Sequence, residues 1–315
     1  MMRVPAIVLV ALLISSIMAP SSAEPAAPPP TQAAPLQHIV DDAAQSVLQR
    51  FADKGLKPEN LAISLIDLRD PQHQTSAGYH GSVPTYPASV VKLFYLALVQ
   101  RQLEDGALKD SPELRRGLHD MIVDSTNDAT GYILDCITDT VSGPELSPDE
   151  LKMWGEKRNA VNRFFSGLGY TNLNVNQKTW NEGPYGRERQ FLGPNYENRN
   201  KLTTDGTAQL LAKIALGQWV SPQRSRQMME LLKRNPLGKG DEQATDFSGI
   251  MLKETPGAKL WSKAGWTSTA RHDAAYIETP DGKRFVLVVF TTGVANEKEI
   301  IPAVVRAVMT GLAGQ

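Results

Sequence analysis

The sequence predicts an α+β protein in which both ends of the chain build one antiparallel sheet flanked by terminal helices, and the middle forms an inserted all-helical lobe. Three observations carry this. Strand-like runs sit towards each end, at 61–68 and 260–291; apolar residues recur at helical spacing between them, over 88–168 and 204–232; and apolar-striped segments at 38–51 and 300–312 bracket the whole. A chain of 315 residues is long enough for one large unit or for two lobes sharing a core. A net charge of -1 gives no electrostatic reason to expect nucleic acid or an anionic membrane as partner. A small molecule or a polymer is the better expectation.

Taken in order, Arg3 precedes an apolar stretch over 6–18, and the small residues Ser21, Ser22 and Ala23 follow. This pattern predicts a secretory signal over 1–23 and an exported protein, periplasmic or secreted. The stretch is short for a membrane span, so no stable insertion is expected after cleavage. Residues 24–35, rich in Ala and Pro, read as a linker. The folded domain is then expected over 36–315, with an α/β lobe at 36–85 and 240–315 and the helical lobe at 86–239.

Within the domain, Ile39, Val40, Ala43, Val47, Leu48 and Phe51 make one helical stripe. Residues 61–68 alternate as a strand with 72–79 as its hairpin partner. Helical patterns follow at 88–103, 112–137 and 148–168, and the single Cys136 falls in the second of them as a small buried residue with no partner for an intramolecular disulfide. Between 169 and 202 no period survives, and an irregular segment that long is usually functional. Helices resume at 204–216 and 222–232. The strands 260–265, 270–279 and 284–291 follow, the last two joined by an Asp281-Gly282 turn, and a helix over 300–312 closes the chain.

Ser89 and Lys92 form the only Ser-x-x-Lys in the chain. On a helix this spacing puts both side chains on one face, where a partly desolvated Lys can accept the proton of a Ser hydroxyl. Composition alone yields roughly one such pair in a chain of this size. Two further unique matches follow it in order: Ser125-Thr126-Asn127, the only Ser-x-Asn, and Lys263-Ala264-Gly265, the only Lys-x-Gly. Ser-x-x-Lys, Ser-x-Asn and Lys-x-Gly in this order form the motif set of penicillin-recognising serine enzymes. Blander roles remain open: Ser125 and Asn127 as caps of the next helix, Lys263 as an exposed strand-edge Lys.

These segments resemble the class A β-lactamases, penicillin-recognising serine hydrolases. Pro87-Ala88-Ser89-Val90-Val91-Lys92-Leu93 is similar to their nucleophile helix, residues 121–130 to their Ser-Asp-Asn entry, Trp261-Ser262-Lys263-Ala264-Gly265 to their Lys-Thr-Gly hairpin, and residues 203–208 to the helix start after their active-site loop. The resemblance spans most of 36–314 and implies a DD-peptidase/β-lactamase-like fold and an acylation site. In it Ser89 attacks the carbonyl of a β-lactam or a peptidoglycan stem peptide, Lys92 takes part in accepting its proton, and Ser125 relays that proton to the leaving nitrogen. Asn127 holds the substrate's side-chain amide, Lys263 faces its carboxylate, and the backbone N–H groups of Ser89 and Trp266, beside Gly265, bind the oxyanion. No cofactor or metal is expected, and a monomer is.

The chain departs from the family in three places. Thr126 stands where Asp is usual. Ala264 replaces a Thr or Ser that would bind the substrate carboxylate, a loss worth roughly 1.5–3 kcal/mol unless Ser268, Thr269 or, best, Arg271 compensates. The Glu-x-x-Leu-Asn motif of the deacylating base is missing; Glu188 falls nearest its place, with Arg187 and Arg189 expected to hold it ionised, or it is a surface salt-bridge Glu. Three functions stay open: a β-lactamase-like hydrolase, a carboxypeptidase-like acyl transferase with slow deacylation, and a silent binding module. His272, beside Arg271, is expected to be structural.

Overall fold

The computed structural model describes residues 30–235 and 241–314. The signal expected over 1–23 and most of the linker lie outside the described residues. The chain opens with a short strand β1 (Thr31–Gln32) and helix α1 (Ala34–Arg50), followed by the antiparallel hairpin β2 (Leu61–Asp67) and β3 (Thr75–Tyr79). Ordered structure thus begins ahead of residue 36, inside the expected linker. Thr31 and Gln32 pair in parallel with Thr75 and Ser76, because an open sheet edge presents unpaired backbone groups to any extended segment.

The helical block holds α2 (Lys92–Glu104), α3 (Pro112–Ile122), α4 (Asn127–Thr138), α5 (Pro148–Arg158), α6 (Ala160–Gly167), α7 (Gly186–Leu192), α8 (Thr204–Ala215) and α9 (Pro222–Leu232). Two expected helices are each a pair. The 112–137 pattern breaks at Ser125, whose φ of 58° is left-handed and ends any α-helix of L-residues. The 148–168 pattern breaks at Asn159. Helix α2 is buried at every position from Lys92 to Gln100, the signature of a helix that crosses a core rather than lying on it.

The remaining elements are β4 (Lys233–Arg234), α10 (Glu242–Thr245), α11 (Ile250–Glu254), β5 (Lys259–Trp266), β6 (Ala270–Glu278), β7 (Arg284–Thr292) and α12 (Ile300–Ala313). Among the described residues seven strands form one sheet in the order β1-β3-β2-β7-β6-β5-β4, antiparallel except at β1. Since β4 pairs with β5 at Lys233 and Arg234, the sheet reclaims the chain before residue 240. One sheet face packs on α1 and α12, through Val40, Leu65, Val289 and Val304. The other packs on α8, through Leu211, Ala274 and Val288, and the buried face of α2 belongs to the same core cluster. The site lies where the N-terminus of α2 meets β5. Among the described residues no helix is long and apolar enough to cross a membrane.

Candidate active site

Ser89 sits in a 3₁₀ turn over Ala88–Val91 that runs directly into α2. The turn is tight: Ala88 holds φ at 47°, a left-handed conformation that costs a non-glycine residue on the order of 1–3 kcal/mol. Two features hold it. His272 on β6, fully buried, contacts the Tyr86 carbonyl with Nε2 at 2.9 Å and accepts the Thr291 N–H on Nδ1 at 3.1 Å. Burial lowers its pKa to about 4, so the ring is neutral, with Nε2 the donor. On the other side β5 presses on the turn at Gly265, where a Cβ would lie 2.6 Å from Ser89 N and 2.8 Å from Val90 N. Only a residue without a side chain lets the strand approach the Ser89 backbone so closely. Trp266, the next residue, is 42% exposed at the edge of the site.

Lys92, Ser125, Asn127 and Lys263 come together in one hydrogen-bonded cluster. Lys92 Nζ donates to Ser125 O (2.6 Å), Asn127 Oδ1 (3.1 Å), Ser125 Oγ (3.2 Å) and Thr126 O (3.3 Å). Lys263 Nζ donates to Ser125 Oγ (2.9 Å), Ala264 O (2.8 Å) and Gln243 Oε1 (3.0 Å). Helix α4 receives no side-chain cap from Thr126, and Asn127 and Ser125 spend their side chains on the lysines. Both lysines are fully buried, and neither is paired with a carboxylate among the described residues. Burial alone brings the pKa of Lys92 down to about 7. Burial, and then the charges of Lys92 and Arg234, hold Lys263 well below the ordinary lysine value. With both amines on one hydroxyl, no more than about 6 Å separates them, and repulsion between two ammonium groups is on the order of 3 kcal/mol at an effective dielectric of 20. The cluster therefore favours one neutral amine beside Ser125, able to accept a proton.

Segment 169–202, expected to be irregular, contains the short helix α7, and the rest of it is held largely by side-chain amides in place of a regular ladder. Asn200 bonds both the N–H and the carbonyl of Gln177, and Tyr95 also donates to that carbonyl at 2.6 Å. This brings Trp180 and Asn181 over the cluster, where the Trp180 carbonyl and Asn181 Oδ1 take both protons of Asn127 Nδ2 at 3.0 and 3.1 Å. Glu188 lies deeper. Its carboxylate receives Arg158 Nη1 (3.0 Å), Arg158 Nη2 (2.8 Å) and Ser142 Oγ (2.8 Å), with Lys178 Nζ at 3.6 Å. The flanking arginines expected to hold it face elsewhere, Arg187 to Pro144 O and Arg189 to Pro194 O, because successive helical residues point to different sides of α7.

Arg271 pairs with Trp266 in register, and its guanidinium lies 3.9 Å from the centroid of Phe247, with Nη2 3.4 Å from Asp246. Ala264 is buried. Sequence reading missed two residues here. The Gln243 amide oxygen receives Lys263 Nζ, the Ala264 N–H and Arg234 Nη2, while its Nε2 donates to the Val123 carbonyl, two residues before Ser125. The buried Arg234 donates to the Ser262 carbonyl at 2.8 Å. Neither belongs to a motif, and only the pairing of β4 with β5 brings Arg234 to the site.

Comparison with known proteins agrees with this architecture. The solved structure of PBP-A is similar to this chain with a TM-score of 0.61 at 19% identity, covering 91% of this chain and 99% of its own. A β-lactamase from Sphaerobacter thermophilus DSM 20745 gives 0.62 at 18% identity over 87% and 98% of the two chains. A variant of PBP-A solved as an acyl-enzyme complex with penicillin G gives 0.61 at 18% identity over 91% and 100%. No curated protein sequence matches. The family model for the β-lactamase enzyme family matches residues 43–310, nearly the whole described chain, and the protein belongs to that family.

Proposed function

We propose that the protein is a serine acyl-transferring hydrolase that is acylated at Ser89 by a β-lactam or a related peptide-like amide, and that the ester it forms turns over slowly. One observation carries the first half: the Ser125 hydroxyl sits between two buried lysine amines, at 3.2 Å from Lys92 and 2.9 Å from Lys263. In this reading the neutral amine of Lys92 takes the proton of Ser89 as its Oγ attacks the carbonyl. Ser125 passes a proton to the leaving nitrogen, and the Ser89 and Trp266 N–H groups hold the oxyanion. Lys263 and Arg271 supply positive charge for the substrate carboxylate, in place of the hydroxyl missing at Ala264.

The second half rests on Glu188. A deacylating base must hold a water, and this carboxylate is already bidentate on Arg158 and bonded to Ser142, which favours slow hydrolysis. A fast β-lactamase is the second reading, supported by the fact that Glu188 and Asn127 line the same cavity. Intact mass after brief and prolonged incubation with a penicillin separates them. A persistent adduct is expected; an adduct that vanishes as the drug is consumed supports the β-lactamase, and no adduct at any time contradicts acylation.

A further inference from the structure

We propose that the cavity beside Asn127 is an acyl side-chain subsite selective for ligands that carry an ammonium group next to the amide bonded by Asn127, as an α-amino or diamino acyl group does. The inference rests on acylation at Ser89, since Asn127 joins the cavity to the lysine cluster. The Asn181 side chain outlines the ligand. Its Oδ1 accepts from Asn127 Nδ2 at 3.1 Å, and its Nδ2 donates to Asp128 Oδ1 at 3.4 Å. An amide carbonyl with an N–H donor close by therefore already occupies the place, and a substrate that bonds Asn127 must displace it.

The charges around the cavity, which holds about 650 Å³, choose the ligand. At its inner wall the negative groups are answered: Asp135 and Glu188 pair with Arg158 and Lys178. Arg187 does not line the cavity and is turned to the Pro144 carbonyl. Asp128 and Glu182 line the mouth with no basic partner among the described residues, and Glu182 is met only by the Tyr185 hydroxyl at 3.5 Å. Trp180 and Tyr185 add aromatic rings that a cation favours and a carboxylate does not. A bound ammonium would replace the weak Asn181 donor on Asp128 with a charge-assisted one. Because both carboxylates are exposed to solvent, the preference should be modest and salt-sensitive.

The test uses three penicillins that differ only at the α-carbon of a phenylacetamido side chain: unsubstituted, α-amino and α-carboxylate. Second-order acylation rates of the full chain are read by intact mass. The α-amino compound should react about three- to tenfold faster than the unsubstituted one and the α-carboxylate compound slower, with the spread narrowing in high salt. In the Asp128→Asn/Glu182→Gln double variant the ratio of amino to carboxylate rates should fall towards one, with thermal unfolding confirming that the variant is folded. Asn181→Ala should speed acylation by all three. Equal rates in the wild type, a fastest carboxylate, or a ratio unchanged in the double variant would overturn the subsite while leaving acylation standing. No adduct with any of the three defeats acylation at Ser89, and the subsite with it.

Discussion

Titrating the acylation step probes Lys92 directly. Burial brings its pKa from 10.5 to about 7, and only the neutral amine can accept the Ser89 proton. The sign follows: the acylation rate should be flat well above pH 7 and fall tenfold for each pH unit below it. At pH 5 about one molecule in a hundred carries the free amine, so the rate constant should be about 100-fold below its plateau. The assay is single-turnover acylation by a penicillin between pH 5 and 9, followed by quenched intact mass, at constant ionic strength. Lys92→Arg keeps the positive charge but cannot release a proton, so it should lose about 10²–10⁴-fold in rate. A rate that stays level from pH 9 to pH 5.5, or Lys92→Arg retaining most of it, would refute Lys92 as the proton acceptor.

Three further predictions concern the frame of the site. In Gly265→Ala the new Cβ would meet backbone nitrogens of Ser89 and Val90 at 2.6 and 2.8 Å, so the turn must shift; acylation should fall more than tenfold for a stability loss of only about 1–3 kcal/mol, read by penicillin adduct rate and urea midpoint. The His272 pKa, about 4 in the folded chain against 6.5 as a free side chain, contributes stability that is fully present above pH 6.5 and lost as pH falls towards 4, by about 3 kcal/mol; urea midpoints across that window should flatten in His272→Asn. Arg158→Met leaves Asp135 and Glu188 in a half-buried wall with Lys178 as their shared cation, so it should cost about 3 kcal/mol in urea unfolding, the low end for a broken buried pair, partly recovered by adding Glu188→Gln.

The fold was legible because both ends carry strand signals that the middle lacks. Strand-like runs at 61–68 and 260–291, against helical spacing between them, already implied a sheet built from both ends, although residues 61–66 are buried on both faces and show none of the expected alternation. What pattern reading could not see was local backbone geometry. A left-handed Ser125 splits a continuous apolar stripe, and nothing in the side-chain order announces it. The lysine cluster was legible as three motifs that are each unique in the chain, although not the depth at which Lys92 and Lys263 are buried. Gln243 and Arg234 were not legible, since Arg234 reaches the site only through β4 adding to the sheet edge, and Gln243 only through the short helix α10 set against β5. Glu188 was placed by counting back from Thr203. The partner that occupies its carboxylate, Arg158, lies 30 residues away on α5, beyond any local rule.

The most direct measurement is the site of covalent attachment. Incubating the protein with a penicillin, digesting it and mapping the adduct by tandem mass spectrometry should place the acyl group on the peptide holding Pro87-Ala88-Ser89-Val90-Val91, at the Ser89 oxygen, with no adduct in Ser89→Ala. An adduct on another residue, or one that survives in Ser89→Ala, would contradict the account.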